Sequence, residues 1–390
     1  MLYRKMPKSG DKISALGFGC MRFPVLDQDP SKIDERKATE MLHYAIEQGV
    51  NYLDTAFPYH GTGMGEPGNS EPFLGKALKG GYRKKIKLAS KLPSWSIQSR
   101  KDMDKYLNLQ LKRLDTDCID YYLLHTLSVD FWANLKKLGV TDFLDQAIKD
   151  GKIKHAGFSF HDNSKTLFKE IVDAYDWTLC QIQYNYLDEH YQAGKEGMQY
   201  AANKGMGVVV MEPLRGGSLA TKLPDAAVQT FQEVKPERTP AEWSLRWLWN
   251  HPEVTVILSG MNTMAHLQQN IKSANDAKAN EMPGKELETI ENVKSILHEK
   301  VRVGCTSCGY CMPCPVGVHI PQNFSYLNDF YRFDDKQTKS HTRIMYSRLL
   351  SDKEKASACV ECGKCEEHCP QHIPIREKLK EASETLLLTK

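Results

Sequence analysis

Eight of the chain's eleven cysteines fall between positions 305 and 369, in two dense runs. The first is Cys305-x2-Cys308-x2-Cys311-x2-Cys314-Pro315; the second is Cys359-x2-Cys362-x2-Cys365-x3-Cys369-Pro370. Thiolates this close on one loop can meet the corners of a cubane, and a proline after the fourth turns the chain away. A structural zinc prefers two separated pairs, so four sulfurs at every third position suit it poorly. A disulfide framework suits a long chain without a secretory leader still less. The spacing predicts two [4Fe–4S] clusters. Only in the first run do two residues, rather than the usual three, precede the last cysteine. CPVGVHIPQ follows one run and CPQHIPIRE the other, each with a proline placed to open a helix. In such paired halves the fourth cysteine serves the other cluster. One cluster is then expected on Cys305, Cys308, Cys311 and Cys369, and the other on Cys314, Cys359, Cys362 and Cys365.

Asp54, Tyr59, Lys91 and His125 form a second group with chemistry in it. A tyrosine, with an unperturbed pKa near 10, is a reluctant proton donor at neutral pH. A neighbouring ammonium is expected to lower that value, with an aspartate holding the ammonium. A histidine beside them can orient a carbonyl. Such a set protonates an alkoxide while hydride arrives at its carbon.

The elements that must position these residues are short apolar runs at 15–19, 51–55, 86–90, 119–124, 154–159, 179–183, 207–211 and 255–259. Amphipathic stretches such as ERKATEMLHYAIEQG and TPAEWSLRWLWNHP lie between them. Eight strand–helix repeats predict an α/β fold, a (β/α)8 TIM barrel whose chemistry sits at the C-terminal strand ends. Lys91 and His125 each follow such a run, and Asp54 lies one residue from the end of its own. A helix is expected over 284–300, and further helical segments near 321–331 and 340–350. The expected organisation is a barrel over 1–300 and a small, mostly helical, two-cluster ferredoxin-like domain over 301–390.

The segments LGFGCMRFP, NYLDTAFPYHG, NSEPFLGKAL, IKLASKL, DYYLLH, GFSF, QIQYN and PLRGG, in this order, resemble the aldo-keto reductases across nearly the whole barrel. The whole chain is similar to the branch with a C-terminal [4Fe–4S] module. The resemblance implies Asp54, Tyr59, Lys91 and His125 as the catalytic tetrad, with Tyr59 the proton donor. It also implies NADP(H) or NAD(H) across the mouth. Ser159 and Gln183 would hold the carboxamide. Pro213, Leu214 and Gly216 would meet the phosphates with Ser259, Gly260, Met261 and Asn262, and Gln269 and Asn270 would reach the adenine. The chain departs from the family where Phe160 replaces an asparagine and Met211 a frequent tyrosine. Only His266 offers a cation within 259–270.

The net charge is +3 with scattered basic residues, which makes no case for nucleic acid or an anionic membrane. The start has no apolar leader core, and no stretch approaches the ~18 apolar residues of a membrane span. Cluster ligands and unpaired thiols fit the cytoplasm. The expected partners are a small carbonyl or alcohol substrate and a redox partner protein for the clusters. Nicotinamide moves two electrons as hydride and a cluster moves one, so direct coupling normally needs a flavin, and no flavin motif is readable. Electron transfer by the clusters therefore stands beside a self-sufficient reductase with structural or redox-sensing clusters. A nicotinamide sensor is disfavoured by the intact tetrad. Cys20, Cys118 and Cys180 read as small core residues, and Trp243, Trp247 and Trp249 as packing. His60, His155, His161 and His190 lack ligand partners at a convincing spacing.

Overall fold

The computed structural model describes residues 1–387 apart from 63–65, 277, 306–308, 310, 334 and 370. A short antiparallel hairpin comes first, β1 (Tyr3–Lys5) with β2 (Lys12–Ser14). It is followed by β3 (Leu16–Gly19), β4 (Tyr52–Asp54), β5 (Lys87–Leu92) and β6 (Ile119–Leu127). β7 (Ile153–Phe160), β8 (Leu179–Gln183), β9 (Gly207–Met211) and β10 (Val254–Ser259) complete the set. Strands β3 to β10 close into a barrel, β10 pairing in parallel with β3. All eight expected runs are barrel strands. The hairpin was not legible as strand, because its three-residue arms carry no alternating pattern. Between its arms lies Met6, fully buried among the barrel's interior side chains.

The interior shows how a barrel of this kind aims its chemistry. Tyr52, Ala89 and Leu123 belong to the packed interior. Side chains two residues apart on a strand share a face. Asp54, Lys91 and His125 each lie two residues further along the same strands, so they stand one layer above that core at the C-terminal rim. Parallel pairing of Asp54 with Ala89 and of Lys91 with Leu123 sets their heights.

The chain divides into two compact units, residues 1–216 with 242–282 and residues 217–241 with 283–390. The helix Gly284–Glu299 and the segment 217–241 thus group with the cysteine-bearing residues. Within this second unit Arg238 pairs with Glu286 at 2.7 Å. Helices Ile320–Arg332, Lys336–Leu349 and Ile375–Leu386 pack around Phe324, Leu327, Tyr346 and Leu379. Tyr346 pins that core: its hydroxyl donates to Asn323 Oδ1 (2.8 Å) and accepts from the Ala356 amide (3.0 Å). The three helical stretches expected in this part of the chain are present with shifted ends. Among the described residues no helix is long and apolar enough to cross a membrane.

Candidate active site and cluster cavities

Lys91 is wholly buried at the barrel mouth. Its ammonium donates to Asp54 Oδ1 (2.6 Å), to the Thr55 carbonyl (2.9 Å) and to the Tyr59 hydroxyl (3.2 Å). An ammonium taken from water must be paired and hydrogen-bonded, and three acceptors around one Nζ meet that demand. The aspartate keeps Lys91 protonated against the effect of burial, raising its pKa. The His125 ring lies edge-on to Tyr59, with centroids 6.0 Å apart. Burial, Lys91 and His161 hold His125 well below its ordinary pKa, so the imidazole is neutral at pH 7. Among the described residues its Nδ1 and the second oxygen of Asp54 have no hydrogen-bond partner. The structure thus brings Asp54, Tyr59, Lys91 and His125 to one place.

One expectation about this group is reversed. Lys91 does pull the Tyr59 phenol toward ionisation, but burial outweighs it, and the pKa stands above the ordinary value. Removing a phenolate from water costs more than one ammonium, already shared with Asp54, returns. The phenol is held protonated in the resting site.

The loop carrying Tyr59 is pinned by the next helix. The Gly68 amide donates to the Phe57 carbonyl (2.8 Å), and the Ser70 amide to the Tyr59 carbonyl (3.1 Å). A Cβ at Gly68 would fall 2.0 Å from the Tyr59 oxygen, so no other residue fits there without displacing the tyrosine. Behind it, Glu71 lies in the first turn of the helix Ser70–Ala77 and accepts from Ser90 Oγ, Gln110 Nε2 and Arg113 Nε at 2.8, 2.7 and 2.9 Å. Gln110 also donates to the Lys91 carbonyl at 3.0 Å. A Ser99–Asp102 capping box opens the helix Arg100–Arg113 that delivers Gln110 and Arg113. Sequence reasoning missed this network and also Trp95, whose ring lies 5.1 Å from His125. An aromatic four positions after a rim lysine was the available signal. His161, two residues beyond Ser159, also faces this group electrostatically: burial and Lys91 lower its pKa to about 4.

The residues expected to hold a dinucleotide line the ends of β7 to β10 and the segments after them. Ser159 Oγ accepts from the Thr126 amide (2.8 Å). Gln183 donates to Asp188 Oδ2 (3.2 Å), an oxygen that also receives Asn185 (3.0 Å) and Arg215 Nε (2.9 Å). Pro213, Leu214 and Gly216 follow β9, and Met261 is buried after β10. Gly260 lies beneath the stem of Arg22, whose Cδ is 3.1 Å from where a Cβ would stand. Thr263 caps the helix Met264–Ala274 by accepting from the His266 amide, and His266 Nδ1 meets Asn262 Oδ1 at 3.1 Å. Asn270 is buried and donates to Ser259 Oγ (3.1 Å), tying helix to strand, while Gln269 is half-buried beside it.

In the second unit a cavity of about 650 Å³ is lined by Cys311, Cys314, Cys359, Cys362 and Cys365. A smaller one is lined by Cys305, Cys311 and Cys369. Cys308 lies outside the described residues. The donor set suits iron–sulfur chemistry, being all cysteine. Cys314 lines the larger cavity with three cysteines of the second run, Cys369 lines the smaller one with Cys305, and Cys311 lines both. Lys364, His368 and Arg376 line the larger cavity, Arg376 bound to Glu366 through its side chain (2.8 Å) and its amide (2.8 Å).

A closed parallel barrel with a buried Lys–Asp pair and a tyrosine at its C-terminal rim defines an oxidoreductase architecture. The chain belongs to the aldo/keto reductase family, whose model matches residues 15–293, and it carries a 4Fe-4S dicluster domain matching residues 304–373. It is 26% identical to the uncharacterized oxidoreductase YqkF of Bacillus subtilis, over 74% of this chain and 96% of that one. It is 25% identical to the probable aldo-keto reductase 1 of Glycine max, over 68% and 82%. Among solved structures it is similar to the holo form of aldo-keto reductase AKR11C1 from Bacillus halodurans. That match has a TM-score of 0.60 and 25% identity, and covers 75% of this chain and 96% of that one. A thermostable aldo-keto reductase, Tm1743, solved with the inhibitor epalrestat, gives a TM-score of 0.61 and 27% identity. It covers 75% of this chain and all of that one.

Proposed function

We propose that this aldo-keto reductase interconverts a carbonyl and its alcohol with NADP(H) or NAD(H), Tyr59 moving the proton. The observation that carries this reading is the buried Lys91 ammonium, 2.6 Å from Asp54 and 3.2 Å from the Tyr59 hydroxyl. The nicotinamide, when bound, supplies or accepts the hydride. Asp54 fixes the ammonium, and the ammonium stabilises negative charge on the phenol oxygen as its proton leaves. Because burial keeps Tyr59 protonated at rest, the proton passes only when an alkoxide develops beside it. Neutral His125 orients the substrate oxygen, and Trp95 walls the approach. Hydride at carbon and the Tyr59 proton at oxygen together make the alcohol. The phenol is then restored from solvent.

Ser159 and Gln183 are assigned to the carboxamide, and Pro213, Leu214, Gly216 and residues 259–262 to the phosphates. Gln269 is assigned to the adenine, with Asn270 buttressing Ser259. Cys305, Cys308, Cys311 and Cys369 are assigned to one [4Fe–4S] cluster and Cys314, Cys359, Cys362 and Cys365 to the other. The clusters, when present, supply one-electron transfer to a partner protein, which suits a reducing cytoplasm. One observation favours a structural role as well. Cys305, Cys311, Cys314, Cys359, Cys365 and Cys369 pack against the apolar core of their unit, so clusters there would staple it.

Two measurements test the reading. A panel of aldehydes and ketones should include compounds whose reduction consumes dinucleotide and yields alcohol in equal amounts. A dinucleotide-binding protein that turned over none of them would contradict the enzyme. Anaerobic optical and spin-resonance titration with NADPH, NADH and dithionite shows whether nicotinamide electrons reach the clusters. Reduction by dithionite alone favours the stapling role.

A further inference from the structure

His60 follows the proposed proton donor, and both of its ring nitrogens and its carbonyl are hydrogen-bonded. Its ring Nε2 lies 3.1 Å from the Phe23 amide nitrogen, and Nδ1 lies 2.7 Å from the Pro30 carbonyl oxygen. A backbone amide can only donate and a carbonyl can only accept. Nε2 is therefore the acceptor, and Nδ1 carries the proton: the ring is the neutral Nδ1–H tautomer. The ring also stacks on Phe23, with centroids 5.7 Å apart, and only 7% of the residue is exposed. Its backbone sits at φ +61°, in the left-handed region that a non-glycine residue seldom occupies. Its carbonyl accepts from the Asn69 amide at 3.0 Å.

Phe23 and Pro30 both belong to one excursion between β3 and the helix Glu35–Glu47. That excursion closes on itself through the Val25–Ile33 bridge and the Asp34 amide on the Pro24 carbonyl (2.8 Å). It carries Arg22, whose stem covers Gly260 after β10. The Asn69 side chain adds a second tie, donating to the Ser31 carbonyl at 2.8 Å. A single imidazole thus joins the loop of Tyr59 to the loop that lies over the proposed dinucleotide segment.

We infer that His60 is a positioning residue for the reaction, a two-ended hydrogen-bond clamp that locks the 21–34 loop to the Tyr59 loop and so fixes the Tyr59 hydroxyl against Lys91. The inference rests on Tyr59 as proton donor. It makes no chemical use of His60, whose ring nitrogens are both occupied by backbone. Small displacements of a reacting group are costly, a 1 Å misplacement reaching ~100-fold. Release of the clamp should therefore appear in turnover before it appears in binding.

The test uses the anaerobically purified full chain, a carbonyl that the wild type reduces, and four variants. His60→Phe keeps the stacking ring and loses both hydrogen bonds. His60→Asn tolerates the left-handed backbone and keeps a donor for Pro30 while losing the acceptor for Phe23. His60→Gln offers an acceptor that reaches the Phe23 amide. Expected are a fall in kcat on the order of ten- to a hundredfold for His60→Phe, with dinucleotide Kd unchanged. His60→Asn should show a smaller fall, and His60→Gln a partial recovery. Wild-type kcat in His60→Asn or in folded, iron-replete His60→Phe would overturn the inference. Losses of kcat that only track the folded fraction of all three variants would do the same. Tyr59→Phe, measured in parallel, separates the two levels: if it too keeps full turnover, the proton donor is misassigned and the clamp falls with it.

Discussion

Arg113 Nε lies 2.9 Å from Glu71 Oε2, and the carboxylate is completely shielded from solvent. Glu71 sits behind the proposed catalytic lysine and beside the Tyr59 loop, receiving Ser90, Gln110 and Arg113 together. Its pKa is raised by burial despite those three donors. The network is a frame around the site rather than a reacting part.

Glu71→Ala should be strongly destabilising, because it removes the buried carboxylate that Arg113, Ser90 and Gln110 share as acceptor. Breaking one side of a buried ion pair costs ~3–5 kcal/mol. Urea unfolding of the wild type and the variant, followed by a probe of the barrel unit, checks this. A change below ~1 kcal/mol, the level of an exposed pair, would contradict the frame.

Iron content tests the cluster assignment. The chain should hold about eight irons and eight labile sulfides when purified without oxygen. Cys305→Ser and Cys362→Ser should each remove about half, because they serve different clusters. Stoichiometric zinc without labile sulfide, or total iron loss from both variants alike, would contradict two separately ligated cubanes.

Acid should weaken the fold through the rim histidines. His161 has a pKa of about 4, below its unfolded value of about 6.5. Between those values the unfolded chain binds more protons than the native one, so unfolding free energy rises with pH across that window. His161 therefore imposes no such penalty above about pH 6.5 and a growing one on acidification toward pH 4. In His161→Gln the slope of unfolding free energy over that window should be shallower, as urea midpoints at pH 4.5, 5.5 and 7 would show. An unchanged slope would contradict the assignment.

Much of this was legible in the sequence because it is set by local pattern. Each barrel strand is a short apolar run, and a parallel strand register carries Asp54, Lys91 and His125 to one rim. The cysteine spacing likewise pointed to the 4Fe-4S dicluster domain that residues 304–373 match. What escaped reading depends on contacts across the chain. The sign of the Tyr59 shift required knowing that the phenol is buried, and neighbouring residues do not reveal that. His60 looked inert because its partners, Phe23 and Pro30, are backbone groups far back in the chain. Glu71, Gln110 and Arg113 sit on two helices with no motif linking them. Arg215, the cation within the proposed phosphate segment after β9, is engaged with Asp188 at 2.9 Å.

Dinucleotide preference should accordingly be modest. A charge-assisted hydrogen bond is worth ~1.5–3 kcal/mol, and 259–270 offers only His266 as a cation. Discrimination for NADPH over NADH of ~10–100-fold or less is expected, at about 1.4 kcal/mol per decade. A preference above ~1,000-fold in kcat/KM would show that a cation from elsewhere in the chain reaches the site.

The most direct test of the central claim is single-turnover reduction of a carbonyl by Tyr59→Phe, with dinucleotide affinity measured separately. Loss of a positioned general acid should slow the chemical step by ~10²–10⁴-fold, with dinucleotide affinity nearly unchanged. Full turnover on every substrate the wild type accepts would contradict the assignment of Tyr59 as proton donor.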